Sequence, residues 1–232
     1  MVMWKVLLTS IQAWVNENGV KSLESHGQSF PERNLTWEIC AGVRTAIHSM
    51  LRRGDTILEF GSGYGTVDLG DDYIVHSVED DKKWLHLDPR ATYIHAPIVP
   101  IDKIPGHSHD QWYDRDAVSS SLPQKYDLIL VDGPSGTIGR SGLLTIIDLL
   151  DPDVPWLVDD TVRTEESEIA TDIGLALGMK EYRFWNFCIL SRSPIPDSSI
   201  RRISIASEHV KQIERIHIAL ENSQFYNSRV EQ

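Results

Sequence analysis

Val6, Leu7, Ile11 and Trp14 recur at the spacing of one helical face until Asn16–Gly19 breaks the pattern, predicting a helix over about residues 4–17. A polar loop follows. From Glu38 to Leu51 the apolar positions Cys40, Val43, Ile47, Met50 and Leu51 again share one helical face, and Arg52-Arg53-Gly54 supplies cations and a glycine where a helix should stop. The period then changes. Short apolar runs at Thr56–Phe60, Tyr73–Val78, Thr92–Ile94, Tyr126–Val131, Trp156–Val158 and Phe184–Leu190 read as strands, with Gly142–Leu150 and Glu165–Leu177 as covering helices. Strands alternating with helices predict a mostly parallel sheet covered on both faces. Pro97–Pro123 shows no sustained period and is long for a structureless loop, so a short helix and part of a site rim are expected there. Ser193–Ser199 reads as a linker and Ile205–Leu220 as a closing amphipathic helix. One α/β domain over residues 1–232 accounts for this order, with helices in 1–53, a core in 54–192 and a linker and helix in 193–232.

Composition narrows the function classes. With 41% hydrophobic and 24% charged residues the chain is of ordinary globular type, and 232 residues can bury a full core without metal or disulfide support. Its 34 Asp and Glu against 22 Lys and Arg give a net charge of −12, which repels phosphate backbones and anionic lipid. Nucleic acid and membrane are therefore not expected partners. Cys40 and Cys188 lack metal-ligand spacing and read as reduced core residues. The apolar run in Met1–Leu8 is too short for a signal peptide, which makes the cytoplasm the expected location.

The segment Ile57-Leu58-Glu59-Phe60-Gly61-Ser62-Gly63-Tyr64-Gly65-Thr66 runs from a strand through a glycine turn into a helix. In an open α/β sheet such a turn lets a ligand approach bare backbone beyond the strand ends. Glu79, eighteen residues after Gly61, closes the next strand, where an acid can accept hydrogen bonds from both ribose hydroxyls of an adenosine. Thr66 stands where a dinucleotide fingerprint needs its third glycine, and the Glu59 carboxylate would repel pyrophosphate while attracting an ammonium or sulfonium group. A cationic adenosine cofactor fits better than NAD.

Glu59-Phe60-Gly61-Ser62-Gly63 resembles the first motif of the class I S-adenosylmethionine-dependent methyltransferases. Ser77-Val78-Glu79-Asp80-Asp81-Lys82-Lys83-Trp84 resembles the acidic motif of a subgroup in which an aromatic residue follows the acid. The resemblance spans about residues 36–192 and implies a Rossmann-like, doubly wound, seven-stranded sheet whose last strand, within Phe184–Arg192, is antiparallel. It implies that S-adenosylmethionine is bound, with Gly61 and Gly63 passing the methionine moiety and Glu79 binding ribose. Tyr64 and Thr66 would flank the cofactor, and Ala96 and Pro97 would pass the adenine. Glu59, Ser62 and Asp80 complete the expected cofactor-binding set.

Two further strands end in acids. Tyr126–Val131 runs into Asp132-Gly133-Pro134-Ser135-Gly136, and Trp156–Val158 into Asp159-Asp160. The same resemblance implies that Asp132 lies beside the transferring methyl group, which makes it the first candidate for a catalytic residue touching cofactor and substrate. Three carboxylates converging call for a divalent ion, an arginine or raised pKa values. Resemblance to metal-dependent O-methyltransferases makes Asp132, Asp159 and Asp160 candidate ligands of Mg²⁺ or another hard ion that would hold a substrate hydroxyl. Arg140 and Arg163 would neutralise them otherwise. Arg140 reads either as a solvated surface residue or as a clamp for substrate or for Asp160. His95 lies near the expected adenine edge, His107 and His109 sit in the irregular loop, Trp112 and Tyr113 could stack on a substrate ring there, and Trp84 reads as helix core. The reaction expected is methyl transfer to a hydroxyl of a small molecule or carbohydrate. A nicotinamide oxidoreductase and a non-catalytic cofactor-binding scaffold are the alternatives, and the acceptor and the oligomeric state stay open.

Overall fold

The computed structural model describes residues 39–230, within a compact unit of residues 32–232. The helix expected over residues 4–17 lies outside the described residues. The first described helix, α1 (Ala41–Met50), buries Val43, Ala46 and Ile47 on the face its periodicity predicts. It leads into β1 (Thr56–Phe60), α2 (Tyr64–Leu69) and β2 (Ile74–Glu79), then β3 (Thr92–His95). The irregular loop folds as a two-stranded antiparallel ribbon, β4 (Ile98–Pro100) with β5 (Gln111–Tyr113), and the expected short helix, α3 (Arg115–Ser119). After β6 (Leu128–Val131) come two 3₁₀ turns, then β7 (Trp156–Val158), α4 (Thr164–Leu177), β8 (Lys180–Arg183), β9 (Cys188–Ser191) and α5 (Asp197–Val230).

The main sheet has seven strands in the order β3-β2-β1-β6-β7-β9-β8. Pairings from β3 through β7 are parallel, and β9 runs antiparallel to both β7 and β8. The sheet is Rossmann-like. The chain winds outward from β1 to β3, then returns to the other side of β1 as β6. The switch point therefore lies between β1 and β6, where ligands of open α/β sheets bind.

Strand periodicity divides the core into two. Phe60, Val131, Trp156, Val158 and Leu190 face one side with Trp112, Ile169 and Ile173, while Ile57, Leu128, Leu130, Leu157 and Ile189 face the other with Val43, Ile47 and Ile203. Successive residues of a strand point to opposite faces, so a central strand covered on both must be apolar throughout. The four residues of β6 are all buried, as that requires.

Two expectations are corrected. Gly142–Leu150 is not a covering α-helix but two 3₁₀ turns, Ser141–Thr145 and Ile147–Leu149. The Cβ that a longer helix former would carry at Gly142 would overlap the Trp112 side chain, and glycine itself is a poor helix former. Trp112 and Tyr113 are not rim aromatics: they are 0% and 1% exposed and pack on Phe60. Cys40 and Cys188 are free thiols, half-buried and buried. Among the described residues no helix is long and apolar enough to cross a membrane.

Candidate functional site

Each parallel ladder continues one residue past its strands. The Gly61 N–H donates to Val78 O at 2.8 Å, Asp132 N–H to Phe60 O at 2.9 Å and Asp159 N–H to Val131 O at 3.0 Å. The glycine turn and both acid-ended strands are thereby aligned along one sheet edge. A cavity of about 600 Å³ opens there, lined by residues of the turns after β1, β2, β6 and β7.

Its floor depends on two glycines. Gly61 sits at φ +92°, in the left-handed region that glycine enters freely, and a Cβ on it would lie 2.5 Å from the Gly133 Cα. The two turns touch backbone to backbone, which no other residue pair would permit. Gly63 differs: its missing Cβ would meet nothing within 4 Å, so backbone is bared to open space.

Beneath the turn, the Gly63 N–H donates to Thr66 Oγ1 at 3.0 Å and Thr66 Oγ1 donates to Glu59 Oε2 at 2.6 Å. Glu59 is 1% exposed, and burial pushes its carboxyl up to about 7, with the Thr66 bond acting the other way. Glu59 and Thr66 thus lie outside the cavity lining and hold the turn from below. This corrects their expected place beside the cofactor. In the sequence a carboxylate beside the glycine turn reads as facing the ligand, but the alternation of β1 turns it into the protein.

Glu79 does line the cavity. Its Oε2 accepts from the Ser62 N–H at 2.8 Å, and its Oε1 from the N–H groups of Asp80 at 3.0 Å and Asp81 at 2.7 Å. Burial raises its pKa, while the Asp81 and Ser62 hydrogen bonds pull it back down. Tyr64 meets Trp84 edge-on, with ring centroids 6.1 Å apart, and Lys83 lies over the Trp84 ring. Trp84 is therefore cavity wall and not helix core; it lies in a turn after β2, and its position just after the acidic motif was the signal in the sequence. Ala96 is fully buried, with its N–H on Glu79 O, and neither it nor Pro97 lines the cavity.

The opposite wall is built from charge. Arg140, 2% exposed, reaches over the ends of β6 and β7. Its Nη1 donates to Asp159 O at 2.5 Å and Val131 O at 3.3 Å. Its Nη2 donates to Asp132 O at 2.7 Å, Asp160 Oδ2 at 2.8 Å and Asp132 Oδ1 at 3.4 Å. Asp160, at φ +61°, is a non-glycine residue in the left-handed region, and its Oδ2 also pairs with Arg163. Arg163 in turn reaches Glu166 at 3.4 Å. The solvated reading of Arg140 is thus excluded and the clamp on Asp160 is found.

Of the three strand-end acids, Asp132 and Asp160 line the cavity while Asp159 is 5% exposed and folds back on the Asp160 N–H at 2.8 Å. Burial and the neighbouring Asp159 charge raise the Asp132 pKa well above the usual carboxylate range, against the pull of Arg140. Burial and Asp160 push Asp159 up to about 6. Among the described residues no three His, Cys, Asp or Glu side chains are grouped to hold a metal ion. The arrangement expected of Asp132, Asp159 and Asp160 around a hard cation is not the one found, because two of the acids turn to arginine and the third to backbone.

The histidines stand apart. His107 pairs with Asp172 at 2.8 Å and His109 with Glu165 at 2.5 Å, pinning the loop between β4 and β5 to α4, and His95 meets Asp80 O at 3.2 Å.

No protein-family profile and no curated protein sequence matches the chain. Several solved structures are similar to it. A methyltransferase from Pyrococcus furiosus shares 15% identity over 78% of this chain and 95% of its own, with a TM-score of 0.43. A methyltransferase-like protein from Silicibacter pomeroyi shares 22% over 72% and 93%, with a TM-score of 0.43. The magnesium protoporphyrin IX methyltransferase ChlM from Synechocystis, solved with bound SAM, shares 13% over 64% and 74%, with a TM-score of 0.37. These are distant likenesses, and none decides what this chain acts on.

Proposed function

We propose that the chain is an S-adenosylmethionine-dependent methyltransferase that transfers a methyl group to a hydroxyl of a small molecule or carbohydrate. The observation that carries this reading is Glu79: a buried acid at the end of β2, beside a bared glycine turn at the switch point of the sheet. An adenosine offers hydroxyls to such an acid, whereas a pyrophosphate in this cavity would meet the carboxylates of Glu79, Asp80 and Asp81.

The residues fit the cofactor. Glu79 and Asp80 would take the ribose, Gly61, Ser62 and Gly63 the amino-acid end, and Tyr64 with Trp84 the adenine face, in place of Ala96 and Pro97. Bound there, the cofactor supplies an electrophilic methyl group on a sulfonium. Asp132 lies across the cavity, and its raised pKa makes it a stronger base toward a hydroxyl proton than an ordinary carboxylate. The walls supply alignment, which in such a displacement is the larger part of the protein's work. With a net charge of −12 a neutral acceptor is favoured over nucleic acid.

Calorimetric titration with S-adenosylmethionine, its demethylated product and NAD tests the reading. Micromolar binding of the first two and none of NAD is expected, and silence with all three would overturn it. Glu79→Ala is expected to weaken binding tenfold or more, about 1.4 kcal/mol, with Glu79→Gln separating charge from shape. Asp132→Asn is expected to keep cofactor affinity within about threefold and to lower transfer of labelled methyl to hydroxyl acceptors by a hundredfold or more. Unchanged transfer would take the catalytic role from Asp132, and cofactor binding without transfer by the unaltered chain would leave a binding scaffold.

A further inference from the structure

We infer that Arg140 is the built-in cation of this site, occupying the point between the ends of β6 and β7 at which a divalent ion would otherwise bind. One nitrogen, Nη2, faces carboxylate oxygens from both strand ends, Asp160 Oδ2 at 2.8 Å and Asp132 Oδ1 at 3.4 Å, together with Asp132 O at 2.7 Å. An ion bridging these oxygens would have to stand where that nitrogen stands. Hard ions such as Mg²⁺ need several oxygens at about 2.1 Å, whereas these oxygens stand 2.7–3.4 Å from the nitrogen that occupies the point between them.

Three features make the arginine a fixed part of the site. It is 2% exposed, and carbonyls of Val131, Asp132 and Asp159 accept from it, so its charge is anchored to the backbone of two strands. Its planar fork serves several acceptors at once, which an ammonium could not do in the same geometry. A second guanidinium, that of Arg163, closes on the same Asp160 oxygen from outside, and Asp160 holds a left-handed backbone conformation between the two. Arg140 is a positioning residue: it sets the direction of the Asp132 and Asp160 carboxylates along the cavity wall. The inference rests on the proposed methyltransferase reading only for the place of these acids at the cavity, and it is tested without cofactor or acceptor.

The experiment is Mn²⁺ titration, followed by electron paramagnetic resonance and calorimetry, of the full chain and of Arg140→Ala, Asp160→Asn and the double variant, each checked for fold by circular dichroism. The expected result is that Arg140→Ala binds one Mn²⁺ at least tenfold more tightly than the unaltered chain, that the double variant loses this gain, and that methylguanidine competes with the ion. A loss of side-chain packing alone would not create a cation site. If the unaltered chain binds one Mn²⁺ and Asp160→Asn abolishes it, the inference is overturned, and that outcome can be read even if Arg140→Ala does not fold. A folded Arg140→Ala chain with no gain in Mn²⁺ affinity overturns it as well. Binding of S-adenosylmethionine is a separate readout, so failure of the cofactor reading leaves this one standing or falling on its own result.

Discussion

Glu59 shows how much a single side chain's direction decides. In the sequence it stands beside the glycine turn and reads as part of the ligand site; in the fold it supports Thr66, which supports Gly63. Its carboxyl titrates at about 7 when folded against 4.5 as the ordinary value. Between these values the folded chain holds a proton that the unfolded chain has released, so stability falls as pH rises through that window. The difference corresponds to roughly 3 kcal/mol at most. Glu59→Gln, which keeps an acceptor for Thr66, is expected to abolish this slope and to melt higher than the unaltered chain above pH 7, with the two converging near pH 4.5. Thermal melts across pH 4.5–8 check it, and parallel melting curves for the two proteins would refute it. Arg140 teaches the same point: its residue type admits a solvated or a clamping role, and only the convergence of two strand ends chooses between them.

At the scale of elements, the strongly periodic segments were legible. β1 and β7 lie where the apolar runs predict, and α4 begins one residue before the predicted Glu165 and ends at Leu177. Glu165 and Glu166 in its first turn suit the positive end of the helix dipole, and Gly178 at φ +65° ends it in the left-handed conformation. Gly178→Ala is expected to cost about 1 kcal/mol, read as a shift in the urea midpoint, with cofactor binding unchanged. The elements missed were those whose pattern is weak. β8 reads Lys-Glu-Tyr-Arg, a charged strand at the sheet edge, where charge discourages pairing with other chains and hides the apolar signal. The ribbon strands β4 and β5 are three residues each, too short for alternation to register. The segment after Gly139 failed as a helix because it packs on this ribbon: Gly142→Ala would force a Cβ into Trp112 and is expected to destabilise by about 1–3 kcal/mol, measured by denaturant unfolding.

Over the whole molecule, cavity and core share one sheet edge, so occupancy and stability must be linked. A ligand that binds only the folded chain at a hundred times its Kd adds about 2.7 kcal/mol, which for a chain of this size corresponds to a rise in Tm of roughly 5–10 °C. The demethylated cofactor is expected to give that rise in a thermal-shift assay and NAD none. By itself the sequence determined the class of fold, since apolar runs alternating with helical periods leave few arrangements other than a covered parallel sheet. It also determined which segments meet at the carboxyl edge: the glycine turn, Glu79, Asp132, and Asp159-Asp160 all follow strands, and parallel strands end on the same side. What only tertiary structure decided is which of those side chains face the cavity and which cation they face. Strand alternation turned Glu59 inward, the Gly61–Gly133 contact set the floor, Trp84 swung in as wall, and burial fixed Arg140 between the acids. Spacing along a chain is a one-dimensional quantity, whereas the direction of a carboxylate and the identity of its partner depend on packing between segments distant in sequence.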